Sequence, residues 1–258
     1  RKFLYQLISS QLDMDRLDYL NRDSFYTGVA EGNISSERLI AMLNVKDDNL
    51  VIEEKGIYSV EKFIVARRLM YWQVYLHKTG LVAEKLLGKI LKRAKELSLA
   101  GKELPASKAF TYFLNHQITE DTFNLETLKT FAKLDDYDVF SAIKEWISYE
   151  DKVISKLSES LINRILPKII LQKEPFSEDE IAKIKSKVKR KFKLSDSELG
   201  YFVYHGKIQN QAYDVTKNTI QILYKNGKIK DVTEASDHLN LQALSNTVYK
   251  YYICYPKK

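Results

Sequence analysis

Residues 11–28 read QLDMDRLDYLNRDSFYTG and set Asp13, Asp15, Asp18 and Asp23 among Arg16, Arg22, Tyr19 and Tyr26. From Phe3 to Asp23 the apolar residues recur at helical spacing, which predicts one helix. With Asp15 at zero and about 100° per residue, Gln11, Asp18, Tyr19 and Arg22 fall within roughly 60° of it, and Asp23 lies just beyond. Met14, Leu17 and Leu20 gather toward the opposite side as the stripe that anchors the helix. A soluble helix needs no such density of acids to fold, so this face is read as one that holds something. Asp18 and Arg22, four residues apart, are expected to form a local ion pair.

After this run, TGVAEGNISSERLIAML (27–43) reads as a turn and a second helix. Asn33, Ser35 or Ser36 would be its N-cap, and Leu39, Ile40 and Leu43 its buried positions. NLVIEEKGIYSV (49–60) predicts a β-hairpin about Lys55-Gly56. A long helix over 61–78 is expected to break at Gly80, with another over 81–100 and further helices at 108–115, 125–132, 136–148 and 150–165. Pro167 and LQKEPFSEDE (171–180) mark a change. A lysine-rich helix over 178–191 comes next, followed by strand-like segments at 201–208, 219–232 and 248–257. Asn226-Gly227 is a hairpin turn signal, and 236–244 reads as a short helix or turn. The expected fold is mainly α with a smaller C-terminal α+β domain, divided as 1–165, with a short β-hairpin near 50–59, and 166–258.

The 258 residues are enough for one large domain or two modest ones. With 45% hydrophobic and 29% charged residues, the composition is that of a globular chain and excludes a disordered one. The net charge of +7 suits anionic partners such as nucleotides, nucleic acid or phosphate esters; a solvated lysine surface is the alternative. A single cysteine, Cys254, excludes a disulfide framework and a cysteine-based zinc site. No apolar run approaches the ~20 residues that span a bilayer, and no signal peptide is visible, so a cytoplasmic protein with no membrane partner is expected. The chain opens on Arg1-Lys2-Phe3, already in a helical pattern, as if entered partway through a domain.

DMDRLDYLNRDSFYTGV (13–29) resembles the closing motif of the HD-domain metal-dependent phosphohydrolases, in the branch of the deoxynucleoside triphosphate triphosphohydrolases. VEKFIVARRLMYWQVYLHKTG (60–80) resembles the same branch in its arginine and its Tyr-x-His-Lys ending. KLDDYDVFSAIKEW (133–146) and the tail through YYICYPKK are similar to bacterial members. The resemblance implies that the first domain is part of an HD-type helical bundle and that Asp15 is the last metal-binding aspartate. It further implies that Arg16 and Arg67 face the phosphates, that Tyr19 touches phosphate or sugar, that Asp23 receives the sugar 3′-hydroxyl and that Tyr75 lies under the sugar. His77 and Lys78 match positions near a second, activating nucleotide site. The cofactor would be a divalent ion (Mg, Mn, Fe, Ni or Zn), which lowers the pKa of bound water and polarises a phosphoryl oxygen. The family's other ligands, a histidine and a later His-Asp pair, precede the closing aspartate. None of His77, His116, His205 and His238 does so here. Those ligands are expected upstream of Arg1, and the chain alone is expected to be inactive.

Each role has a structural alternative. Asp15 would otherwise be a surface or capping acid, and Tyr19 a tyrosine at the core edge. Arg67 would pair with an acid of the hairpin, and His77 would cap a helix end. Tyr71 and Trp72 are expected to pack, and His116, His205 and His238 to be incidental. Arg67, Tyr71, Tyr75 and Lys78, spaced by four, four and three, are expected along one helix face. The functional expectation is part of a phosphohydrolase that converts deoxynucleoside triphosphates to nucleoside and triphosphate, as a homo-oligomer. The alternatives are an HD phosphohydrolase for another nucleotide phosphoester and a non-catalytic nucleotide- or nucleic-acid-binding relative.

Overall fold

The computed structural model describes residues 1–237, 241 and 244–257. Along the chain come α1 (Lys2–Ile8), α2 (Met14–Thr27), α3 (Ser36–Ala41), β1 (Leu43–Lys46), β2 (Asn49–Glu53) and α4 (Ile57–Met70). Next are α5 (Lys78–Leu99), α6 (Lys108–Asn115), α7 (Leu125–Phe131), α8 (Asp136–Trp146), α9 (Lys152–Ile162), β3 (Lys168–Gln172), α10 (Glu178–Phe192) and α11 (Asp196–Phe202). The C-terminal part holds β4 (Tyr204–Asn210), β5 (Gln221–Leu223), β6 (Ile229–Asp231), α12 (Val232–Ala235) and β7 (Val248–Tyr255). The chain is mainly α with an α+β C-terminal part, as its sequence pattern predicts.

The chain packs as two compact units, one of Arg1–His77 with Lys207–Lys250 and one of Lys78–Gly206 with Tyr251–Lys258. In the first, Leu20 of α2, Leu39 of α3 and Phe63, Ile64 and Met70 of α4 are fully buried together with Ile52 and Ile222. Its sheet runs β1-β2-β5-β6, with β2 parallel to β5 through Ile52↔Ile222 and Glu53↔Leu223. In the second unit Leu86, Ile90 and Ala94 of α5 pack with Ile143 and Trp146 of α8 and Ile154 of α9. There β3 lies antiparallel to β7, from Lys168↔Tyr255 to Gln172↔Tyr251. The expected boundary near 165 falls inside this second unit. Residues 219–232 complete the first unit's sheet instead, because β5 finds its hydrogen-bond partner in β2.

Several local expectations are corrected. The helix expected from Phe3 to Asp23 is two helices. Asp13 caps α2, its carboxylate accepting the amide of Arg16, and residues 9–13 break the path. Gly28 then ends α2 in the left-handed conformation, at φ 71°. The hairpin turns at Asp47-Asp48, both with positive φ (50° and 57°), as a two-residue turn between twisted strands requires. Lys55-Gly56 instead forms a short 3-10 turn into α4. Gly80 lies inside α5; an exposed helical glycine costs only about 1 kcal/mol, too little to end a helix alone. Helix α4 gives way to a π-helical turn at Tyr71–Tyr75, where Leu76 N donates to Tyr71 O, and α5 starts afresh at Lys78. Lys78 therefore does not continue the helix face of Arg67. Ile40 is exposed, and Leu43 lies in β1. Within the short helix or turn expected over 236–244, residues 238–240, 242 and 243 lie outside the described residues, His238 among them.

Candidate functional site

Helix α2, helix α4 with its π turn, and the loop after β4 bring the aromatic and charged side chains of the first unit together. Asp13 is buried at the head of α2, where its carboxylate accepts from Ser10 N at 3.2 Å and pairs with the Arg16 guanidinium. Arg16 Nη1 also donates to Ser10 O at 2.6 Å. Arg16 is thereby folded back along the break before α2, while its buried Nε–H finds no acceptor among the described residues. Asp15, in the first turn of α2, is exposed. Asp18 and Arg22 make the expected surface pair, doubly hydrogen-bonded at 2.9 and 3.0 Å, and that bond holds Asp18 below its ordinary value.

Deeper on α2, Tyr19 is half-buried. Burial and then Tyr71 push its hydroxyl pKa up, while the charges of Arg67 and Arg16 pull against the rise. Both guanidinium groups thus act electrostatically on this hydroxyl. The Tyr19 and Tyr75 rings meet edge to face at 5.7 Å, and Tyr71 and Tyr75 do so at 5.2 Å. The π turn places Tyr71 and Tyr75 in that contact. Tyr75 Oη donates to Asp23 Oδ2 at 2.8 Å; burial first, then this bond, raises the Tyr75 pKa well beyond the ordinary phenol range. Arg67 lies over the Tyr71 ring at 5.8 Å and donates from Nη1 to Ala212 O at 3.2 Å, not to a hairpin acid. Its Nε–H too is buried without an acceptor among the described residues.

Arg16, Tyr19, Asp23, Arg67 and Tyr75 thus come together. Tyr71, expected only to pack, joins them, and Asp13 turns inward as cap and partner of Arg16. The Asp13–Arg16 spacing of an N-cap and the third helical residue is the signal for that role. Nothing in the sequence points to the Ala212 carbonyl. His77 and Lys78 are both exposed, one just past the π turn and the other at the start of α5. Among the described residues no three His, Cys, Asp or Glu side chains converge on a point that could hold a metal. Asp15 offers one carboxylate, so these residues do not by themselves fit a divalent ion.

Residues 34–112 match the HD associated region. The chain is 33% identical over 264 residues to the Bacillus subtilis (strain 168) protein YwfO, covering 99% of this chain and 58% of that protein. It is 52% identical to a phosphohydrolase from Bacteroides thetaiotaomicron VPI-5482, whose crystal structure matches with a TM-score of 0.90 over 98% of this chain and 64% of that one. Over 113 residues it is 28% identical to the deoxynucleoside triphosphate triphosphohydrolase SAMHD1 homolog of Dictyostelium discoideum, covering 43% of this chain and 22% of the other. These matches support an HD phosphohydrolase family. The HD associated region takes in Arg67, Tyr71 and Tyr75 but begins after α2, so Asp15, Arg16, Tyr19 and Asp23 lie outside it. The chain spans only 58% and 64% of the lengths of YwfO and the Bacteroides phosphohydrolase. No helix among the described residues is long and apolar enough to cross a membrane.

Proposed function

We propose that this chain carries the nucleotide-holding part of an HD-type phosphohydrolase acting on deoxynucleoside triphosphates, with nucleoside and triphosphate as products. The observation that carries this reading is the pair Arg16 and Arg67. Two permanently charged groups act on the Tyr19 hydroxyl, each with a buried N–H donor that finds no acceptor among the described residues. Buried donors of that kind suit an anionic oxygen, and a guanidinium fork matches phosphate geometry. Beside them, Tyr75 stays protonated and donates to Asp23 Oδ2, which leaves Asp23 Oδ1 to accept a sugar hydroxyl. Tyr19 and Tyr75 present ring surface to the sugar.

In this reading Arg16 and Arg67 offset the charge of the phosphate chain, and the rings and Asp23 fix the sugar, so that the scissile bond is held in one place. Asp15 supplies one oxygen donor towards a divalent ion. The other donors are proposed to lie in the share of the relatives' length that this chain does not span. His77 and Lys78 are proposed for an activating nucleotide, and the whole protein as a homo-oligomer.

The test is a substrate panel on the protein from the complete gene: deoxynucleoside and ribonucleoside triphosphates, monophosphates and a cyclic dinucleotide. Deoxynucleoside triphosphates should yield nucleoside and tripolyphosphate. Arg67→Ala should lower kcat/KM about a hundredfold, the scale of losing one preorganised charge donor. Asp15→Ala should lose both bound metal and turnover. Hydrolysis confined to monophosphates or the cyclic dinucleotide, or full activity in Arg67→Ala, would overturn the reading.

A further inference from the structure

Gln11 lies in the break between α1 and α2 and has no part in the roles above. Its side-chain amide forms a reciprocal pair with the backbone of Asp214: Nε2 donates to Asp214 O at 2.6 Å, and Oε1 accepts from Asp214 N at 2.7 Å. Nε2 also reaches the carbonyls of Lys217 (2.9 Å) and Asn218 (3.3 Å). One primary amide, with two N–H donors and a carbonyl, thus gathers the loop over 212–218 as a neighbouring strand would. At its base the loop is held by Tyr213, fully buried, whose hydroxyl donates to Asp231 and accepts from Ile220 N at 2.8 Å. Immediately before these two anchors, Ala212 O accepts from Arg67 Nη1. The break that carries Gln11 also holds Arg16, through Ser10 O and Asp13.

We infer that Gln11 is a positioning residue for the two guanidinium groups: it ties the Ala212 carbonyl, and through it Arg67, to the segment that holds Arg16, and so sets their spacing. The inference rests on the phosphate role proposed for Arg16 and Arg67. Gln11 touches no substrate in this scheme. Its loss frees the loop and with it Arg67, whose long side chain must then be ordered when phosphate binds. The cost falls on holding the phosphate chain more than on breaking a bond.

The test is calorimetric binding of inorganic tripolyphosphate to the protein from the complete gene, as wild type, Gln11→Ala, Gln11→Glu, Arg67→Ala and the Gln11→Ala/Arg67→Ala double variant. Gln11→Ala is expected to weaken binding about tenfold, and that loss to vanish in the Arg67→Ala background, the mark of two residues acting as one. Gln11→Glu keeps the length and the bond from Asp214 N but turns an acceptor towards three carbonyls. It should lose at least as much, and it carries the test should Gln11→Ala not fold. With a deoxynucleoside triphosphate as substrate, KM should rise while kcat stays within about twofold. Full affinity in folded Gln11 variants, or an equal loss with and without Arg67, overturns the inference and leaves the phosphate role of Arg67 standing. Unchanged affinity in Arg67→Ala overturns both.

Discussion

Tyr75 is where packing and chemistry meet most directly. Its ring is wedged between Tyr19 and Tyr71, and its hydroxyl, kept neutral by burial and by its bond to Asp23, is a donor at any physiological pH. Tyr75→Phe keeps the ring contacts but leaves the Asp23 carboxylate without that donor. It should cost about 1–2 kcal/mol in urea unfolding, the usual price of a lost partner at a half-buried group. Asp23→Asn restores neutrality but not the acceptor pattern, so in the double variant the two losses should not add. Of the residues in this cluster, Arg16, Tyr19, Asp23, Arg67 and Tyr75 were legible in the sequence because they sit in two short motifs. Tyr71 was not, since its place depends on a π turn that helical spacing does not reveal. The inward turn of Asp13 has a local signal in its N-cap spacing to Arg16, but the apolar periodicity runs straight through the helix break and masks it.

At the scale of elements, the short 3-10 turn Ala30–Gly32 lies against both helices that build the site. A Cβ on Gly32 would come within 2.6 Å of Met70 Sδ and 2.9 Å of the Leu20 carbonyl oxygen. Met70 can shift, but the Leu20 carbonyl belongs to the backbone of α2. Gly32→Ala should therefore destabilise the protein by about 1–3 kcal/mol, as overpacking at a tight contact does, read as a lower urea midpoint at unchanged slope. Helices α6, α8 and α10 were predicted at or near their observed bounds because their caps are local. Asp135 and Ser177 each close a capping box with the third residue of their helix. The hairpin was placed one turn too late because Gly56 is a stronger turn signal than Asp47-Asp48. Gly56 serves instead as a close contact, its missing side chain leaving room for Ile52.

For the whole molecule the charge balance predicts how stability follows pH. Burial alone would raise the Asp151 pKa, but the Arg93 guanidinium and the backbone N–H of Ile154 outweigh it and hold the carboxyl below its ordinary value. Glu180 and Glu198 are lowered by the amide and hydroxyl of the serines they cap, Ser177 and Ser195. Folded values below unfolded ones mean that this stabilisation is present above the ordinary carboxylate values of 3.8 and 4.5 and is lost as pH falls through the folded ones. Tyr19, Tyr75, Tyr204 and Tyr213 are shifted upward, chiefly by burial, so above the ordinary value of 10.0 the unfolded chain releases protons that the folded one keeps. The thermal midpoint should therefore be flat from about pH 5 to about pH 9, falling on both sides. A maximum at pH 4 or below would contradict these assignments.

The amino-acid sequence by itself determined helices such as α6, α8 and α10 with their caps, the Asn226-Gly227 hairpin and the two motifs that supply the candidate site. Each of these depends on residues a few positions apart. Only the tertiary structure decided that β5 joins β2, that the loop after β4 reaches Gln11 across a separation of 203 residues, and that Arg67 rests on the Ala212 carbonyl. Each of those contacts ends on a backbone group of a distant segment, and backbone groups are nearly the same in every residue, so no side-chain pattern announces the partner before the chain has folded.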